Sequence, residues 1–264
     1  MKKRNFSRWL FASDAHAGSV VGLTPPEWHV HPEAQPKRAK AQRELWDWYA
    51  TKVKELSPID VMVFNGDAID GKGKRSGGTE QLTTDRNKQT DMAAECINYA
   101  KAKKVIMTYG TGYHVGQDED WEDVVASKVD NLVKIGSHEW PSVNGVVFDV
   151  KHTISSSTVP HGRMTALARA NLWNKIWHSA HERQPKANVI IRSHVHYHNF
   201  CGGDGWIAMT LPALQGYGSK FGARQCEGLV DIGMVVFDIY ENGDYTWQLI
   251  KAELSQQKAH ILQL

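Results

Sequence analysis

The chain has 264 residues, 41% hydrophobic and 23% charged, with a formal net charge of +2; this is an ordinary balance for a globular protein, and the length is ample to bury one core. No stretch approaches the ~18 apolar residues of a membrane span, and three widely spaced cysteines exclude a disulfide framework, so we expect a cytoplasmic protein without membrane contact. The small positive charge neither requires nor excludes an anionic partner.

Strands and helices alternate through the first half of the chain. Apolar runs predict strands at residues 8–13, 59–64 and 105–109. Apolar side chains at helical spacing predict helices over 36–56, 85–103 and 118–129. The irregular segments at about 17–35 and 71–83 are predicted loop insertions, and loops of this length are often functional.

The second half ends in antiparallel strands. Its predicted elements are strands at 132–135, 145–150, 188–192 and 206–211 and a helix at 164–182. The final residues predict a hairpin with strands at 232–240 and 245–254 around an Asn242-Gly243 turn. The alternation predicts a layered α/β fold, and we see no internal repeat or linker, so a single domain over 1–264 is expected.

Possible metal ligands stand at the ends of five predicted strands. They are Asp14 with His16, Asp67, His114, His152, and His194 with His196. The carboxyl ends of strands in an α/β sheet gather at one edge, so these side chains can converge. Histidine and aspartate together suit zinc, manganese or iron, and a shared carboxylate can bridge two such ions roughly 3.5–4 Å apart. The pattern therefore predicts a metal centre.

The same residues resemble the motif series of the calcineurin-like metallophosphoesterases. The series here is Asp14-x-His16, Gly66-Asp67-x-x-Asp70, Gly112-Tyr113-His114, His152 at a strand end, and His194-x-His196, spread over residues 8–198. The resemblance implies a two-sheet β-sandwich flanked by helices, in four layers ordered α/β/β/α. It also implies two divalent metal ions, manganese or else iron or zinc.

The resemblance also implies a role for each ligand. Asp14, His16 and His196 would hold the first ion, His152 and His194 the second, and Asp67 would bridge both. Two cations would neutralise charge on the phosphoryl oxygens and acidify a bridging hydroxide, which attacks phosphorus in line. His114 matches the histidine that stands beside the leaving group and can protonate it.

One position departs from the family pattern, in which an asparagine precedes this histidine and binds the second metal. Tyr113 stands at that position here. Three outcomes are possible: water takes the place of the missing ligand, a nearby residue such as Asn65 or Thr111 substitutes for it, or the second ion binds weakly. We favour water. Tyr113 is retained as a candidate substrate-binding residue.

Other polar residues near the motifs have less certain roles. His161 competes with His152 for the second metal, and Asp70 is expected to brace a metal-binding histidine or the turn. His198 is expected either to support a metal ligand or to lie on the surface. His29 and His31 could line the substrate cleft, although solvated loop positions are the expected ones. Basic residues in predicted loops could attract a phosphate backbone; they include Arg75, a candidate substrate contact, and Lys72, Lys74, Lys220 and Arg224.

Three functions are compatible with these motifs. We favour a phosphodiesterase that acts on nucleic acid or nucleotides, which would include a nuclease, although no nuclease-specific signature or nucleic-acid module is visible. The alternatives are a phosphomonoesterase, acting on phosphoprotein or a small phosphate ester, and a metal-binding protein that has lost turnover. Protein partners cannot be identified from the sequence.

Overall fold

The computed structural model describes residues 4–116, 120–181, 183–217, 230–255 and 261–263. Several predicted features lie outside the described residues. They are the helix start at Asp118, the helix end at Glu182, the loop cations Lys220 and Arg224, and the side chain of Arg75.

Eleven strands and five α-helices occur in the described part of the chain. The strands are β1 Phe6–Ala12, β2 Val61–Asn65, β3 Lys104–Thr108, β4 Leu132–Gly136, β5 Ser142–Val143, β6 Val146–Val150, β7 Val189–Arg192, β8 Asn199–Gly203, β9 Trp206–Thr210, β10 Gly233–Tyr240 and β11 Tyr245–Lys251. The helices are α1 Pro36–Leu56, α2 Arg86–Tyr99, α3 Gly112–Val115, α4 Trp121–Ala126 and α5 Arg163–His181.

The first sheet has six strands in the order β11-β10-β1-β2-β3-β4. Strands β1 to β4 run parallel, and the C-terminal hairpin adds β10 antiparallel to β1. All five residues of β2 are buried. A parallel strand covered on both faces is expected to be apolar throughout, and β2 follows this rule up to its last residue.

The second sheet has five strands in the order β5-β6-β7-β9-β8. Its central strands β6, β7 and β9 are parallel, and β8 returns antiparallel to β9. The sequence did not predict β8, because Asn199–Gly203 has two glycines and no alternation of apolar and polar residues. Pairing with β9 makes it a strand despite this composition.

The two sheets pack face to face with helices on their outer faces. The core between the sheets contains Trp9, Phe11 and Val63 from the first sheet and Phe148 and Ile191 from the second. A second cluster joins the other face of the first sheet to α1, α2 and α4, and a third joins the second sheet to α5. The four-layer α/β/β/α sandwich predicted from the sequence is confirmed.

The first part of the loop predicted at about 17–35 is enclosed by the rest of the fold. Residues 11–25 are all buried, and isolated bridges pair Ala17 with Ile69 and Gly22 with Gln215. Residues 11–25 therefore pack between the loops at the strand ends. They support the edge of the sheets where the candidate ligands lie. No helix in the described residues is both long and apolar enough to cross a bilayer.

Candidate metal centre

The backbone turns sharply at the strand ends that carry the candidate ligands. Asp14, His16, Asp67, His194 and His196 all have positive φ angles, between 45° and 73°. Residues with a Cβ atom rarely adopt this left-handed conformation, and functional sites often contain such strained positions. The turns direct side chains from β1, β2 and β7 towards one another, and the sequence alone does not show this.

The first group of converging side chains consists of Asp14, His16 and His196, whose ligand atoms all lie within 4.8 Å of one another. Asp14 Oδ1 is 3.2 Å from Nε2 of His196 and 3.8 Å from Nε2 of His16. The two imidazole Nε2 atoms are 3.1 Å apart. These three ligand atoms come from the segments after β1 and β7 and surround one point. That they hold the first ion stays a prediction.

The second group consists of Asp67, His152 and His194. His152 Nε2 lies 3.0 Å from Asp67 Oδ2, and His152 Nδ1 lies 2.7 Å from the backbone carbonyl of Asn65. A carbonyl at this distance accepts the Nδ1 proton, which leaves Nε2 with a lone pair that can bind a metal. His194 is the exposed member, so this side of the centre opens to solvent.

Asp67 connects the two halves of the centre. It belongs both to the second group and to a third group with His16 and His114. The ring of His114 meets the ring of His16 edge-on at 4.4 Å, and its Nδ1 lies 2.9 Å from the backbone carbonyl of Asp70. Asp67 therefore occupies the position where one carboxylate can contact two ions.

The electrostatics of the metal-free centre are dominated by buried carboxylates among imidazoles. Burial opposes the charge of Asp67, but the positive charge and hydrogen bond of His152 outweigh it and lower the pKa of that carboxyl. Burial also acts against His16, but the neighbouring carboxylates of Asp14 and Asp70 raise its pKa to about 10. Burial opposes the charge of His152 as well, yet the charges of Asp67 and Asp14 raise its pKa to about 9.

The residues present fit divalent cations. Asp14 Oδ1 is completely buried and has no hydrogen-bond partner, an arrangement that is costly unless a cation satisfies the oxygen. The groups contain only imidazole and carboxylate ligands, which suit manganese, iron or zinc. Because their pKa values are raised, His16 and His152 carry an extra ring proton near neutral pH. A metal ion would displace these protons.

The pKa values of His16 and His152 predict how the metal-free protein responds to pH. Both lie above the ordinary value of 6.5, at about 10 and about 9. Their contribution to stability is fully present below pH 6.5 and is lost as the pH rises through these values. We expect the thermal midpoint in chelator to fall by at least about 2–4 °C between pH 6.5 and 10, which corresponds to about 1 kcal/mol.

Differential scanning calorimetry with excess chelator measures this trend. The exposed His161 supplies the control, because His161→Gln should leave the slope unchanged. A midpoint that stays constant or rises between pH 6.5 and 10 would show that these histidines do not gain protons from their carboxylate partners.

Asp70 contacts two histidines of the centre. Its Oδ1 atom lies 3.2 Å from Nδ1 of His16 and 3.7 Å from Nδ1 of His114, and its other oxygen accepts a hydrogen bond from Gln81. These contacts match the bracing role predicted for Asp70. Fixing Nδ1 in this way directs Nε2 of His16 towards Asp14 and His196.

The sequence did not identify Glu122 in α4, which lies beneath Asp67. This side chain is fully buried, and its two oxygens accept the backbone N–H groups of Ala68 and Gly110. Burial and the negative charge of Asp67 raise its pKa to about 8. In the sequence, Glu122 is only part of the acidic first turn of α4, which the helix dipole favours.

Gly110 allows Asp67 to lie against the turn that follows β3. A Cβ atom at Gly110 would lie 2.1 Å from Asp67 Oδ1. The N–H and the hydroxyl of Thr111 both donate hydrogen bonds to Asp67. A small residue at 110 and a donor at 111 thus fix the orientation of the Asp67 carboxylate.

The structure places the alternative ligands elsewhere. The amide of Asn65 bonds to Lys151, Ser193 and Thr108, so it is not available as a substitute ligand. Tyr113 is 38% exposed, and its ring meets that of His114 at 4.8 Å. Four further histidines are absent from the three groups found among the described residues; they are His29, His31, His161 and His198.

Solved structures with a similar architecture were found. Vacuolar Protein Sorting 29 from Cryptosporidium parvum has a TM-score of 0.49 at 8% identity, over 94% of this chain and 98% of that chain. A novel archaeal phosphodiesterase has a TM-score of 0.45 at 10% identity, over 92% and 99%. Wild-type Vps29 from Entamoeba histolytica complexed with zinc has a TM-score of 0.42 at 11% identity, over 93% and 99%. No protein-family model and no curated protein matches the chain.

Proposed function

We propose that this chain is a calcineurin-like metallophosphoesterase that hydrolyses a phosphodiester, with nucleic acid or nucleotides as the substrate class. The observation that carries the proposal is the position of Asp67, which lies within ligand distance of His152 and His194 and also of His16 from the first group. Two divalent ions bound there would neutralise charge on a phosphoryl group and acidify a water molecule.

The ligand roles follow the two groups. Asp14, His16 and His196 would hold the first ion, and His152 and His194 the second, with Asp67 between them. The exposure of His194 supports an open coordination position on the second ion, where water can stand in place of the asparagine that Tyr113 replaces. Oxygen and nitrogen ligands together favour manganese, with iron and zinc as the alternatives.

His114 would protonate the leaving group. Burial and the neighbouring charge of His16 lower its pKa below the ordinary value, so the protonated ring would be a strong acid towards a departing oxygen. Its Nδ1 atom is held by the carbonyl of Asp70, which leaves Nε2 for the transfer. His114 would thus act as general acid, without binding metal.

We propose a diester rather than a monoester because basic side chains in the loop after β2, among them the exposed Lys72 and Lys74, could attract the phosphate backbone of a nucleic acid. The unpaired sulfhydryl groups of Cys96 and Cys201 support a reducing compartment such as the cytoplasm.

Hydrolysis assays with Mn²⁺ test the proposal. We expect cleavage of bis-p-nitrophenyl phosphate and of labelled single-stranded DNA, little cleavage of p-nitrophenyl phosphate, and complete loss of activity with chelator. Cleavage of the monoester alone would contradict the diesterase assignment. Stabilisation by Mn²⁺ without cleavage of any phosphoester would identify a metal-binding protein instead.

A further inference from the structure

A guanidinium group is stacked on the loop that carries the metal-binding histidines. Arg163 is the first residue of α5, and its guanidinium carbon lies 4.0 Å from the centre of the Tyr197 ring. Tyr197 is only 6% exposed and directly follows His196, which belongs to the first ligand group. The chain also leaves the sheet edge at His152 and enters α5 at Arg163, so the stack holds a half-buried positive charge at the edge where the candidate ligands lie.

This guanidinium has no polar partner among the described residues. Its Nε atom is buried without a hydrogen-bond acceptor. Other arginines are neutralised differently, since Arg192 lies 2.7 Å from a carboxylate oxygen of Asp149 and Arg8 bonds to both oxygens of Asp238. A partly buried cation with an unsatisfied donor is costly unless an anion binds to it.

We propose that Arg163 binds an anionic phosphate oxygen of the substrate, an inference that rests on the proposed function. Stacking on Tyr197 covers one face of the guanidinium and fixes its plane, so its N–H groups form a preoriented fork. Phosphate oxygens match such a fork with two parallel hydrogen bonds. Arg163 would act as a substrate-binding residue, leaving proton transfer to His114.

Arg163→Gln and Arg163→Lys separate this role from simple packing. Glutamine keeps a planar group that can cover the Tyr197 ring, but it has no charge. Lysine keeps the charge but has no planar pair of N–H donors. Arg169→Ala is the matched control, because Arg169 lies on the same helix, is exposed and bonds only to Ser155 among the described residues. For each variant, thermal unfolding shows whether the fold is retained, and the amount of bound manganese shows whether the metal is retained.

For bis-p-nitrophenyl phosphate with Mn²⁺, we expect Arg163→Gln to raise KM by about tenfold or more, as loss of a charged hydrogen bond predicts, with kcat within about twofold. Calorimetric titration of the manganese-loaded protein with inorganic phosphate should show a similar weakening. Arg163→Lys should recover part of the affinity, and Arg169→Ala should match the unmodified protein.

Unchanged KM and unchanged phosphate affinity in Arg163→Gln, with manganese retained, would overturn the proposal and leave Arg163 a packing role only. The phosphate titration does not depend on turnover. If the unmodified protein cleaves no phosphoester, the proposed function fails, while the difference in phosphate affinity between the two proteins still tests Arg163.

Discussion

Asp67→Asn is expected to lower turnover by more than about 100-fold, since losing even an outer partner of a metal ligand costs about 10–100-fold. The amide has nearly the same shape as the carboxylate, but it lacks the charge that two cations require. It would also lose the ion pair with His152, whose Nε2 lies 3.0 Å from Asp67 Oδ2. Bound manganese, measured by inductively coupled plasma spectrometry, should fall from two ions to one or none.

Asp123→Asn provides the control for this variant. Asp123 is an exposed carboxylate that accepts a hydrogen bond from Tyr109, and its loss should leave both metal content and turnover unchanged. If Asp67→Asn retained two ions and full activity, the carboxylate would not be the bridge between the two halves of the centre.

Glu122→Ala is expected to lower the free energy of unfolding by about 2–6 kcal/mol, because it leaves two buried N–H groups without acceptors at about 1–3 kcal/mol each. These donors belong to Ala68 and Gly110, which lie on the two turns that enclose Asp67. The affinity for manganese should fall together with the stability. Urea unfolding of the metal-free protein measures the free energy of unfolding, and titration calorimetry measures the manganese affinity.

Glu44→Ala is the matched control, because Glu44 also accepts a backbone N–H, from Ser255, but at a partly exposed site. Its loss should cost less than about 1 kcal/mol, as is usual for exposed polar contacts. A similar loss of stability in both variants would show that burial of the Glu122 carboxylate beneath Asp67 has no special effect.

A layered α/β fold could be predicted from the sequence because most strands are compact apolar runs followed by polar turns. The predicted helix at 36–56 matches α1 at both ends. Strand β8 could not be predicted, since Asn199–Gly203 has no strand pattern and depends on pairing with β9. The end of α2 at Tyr99 was predicted four residues too late, because Lys101 has a left-handed backbone (φ 47°) that the helical spacing of side chains does not reveal.

The candidate ligands could be predicted because each follows an apolar strand, and the carboxyl ends of such strands share an edge. The residues that support them could not. Glu122 lies on a helix of six residues, and its importance depends on two backbone N–H groups that are distant in sequence. Arg163 is one of many basic residues, and only the folded chain shows that it stacks on Tyr197 without a polar partner.

Anomalous scattering from crystals grown with Mn²⁺ tests the central claim most directly. We predict two manganese peaks roughly 3.5–4 Å apart at the shared sheet edge. One should contact Asp14, His16 and His196, the other His152 and His194, and Asp67 should lie between them. A single peak, a pair that Asp67 does not touch, or no peak at this edge would contradict the account.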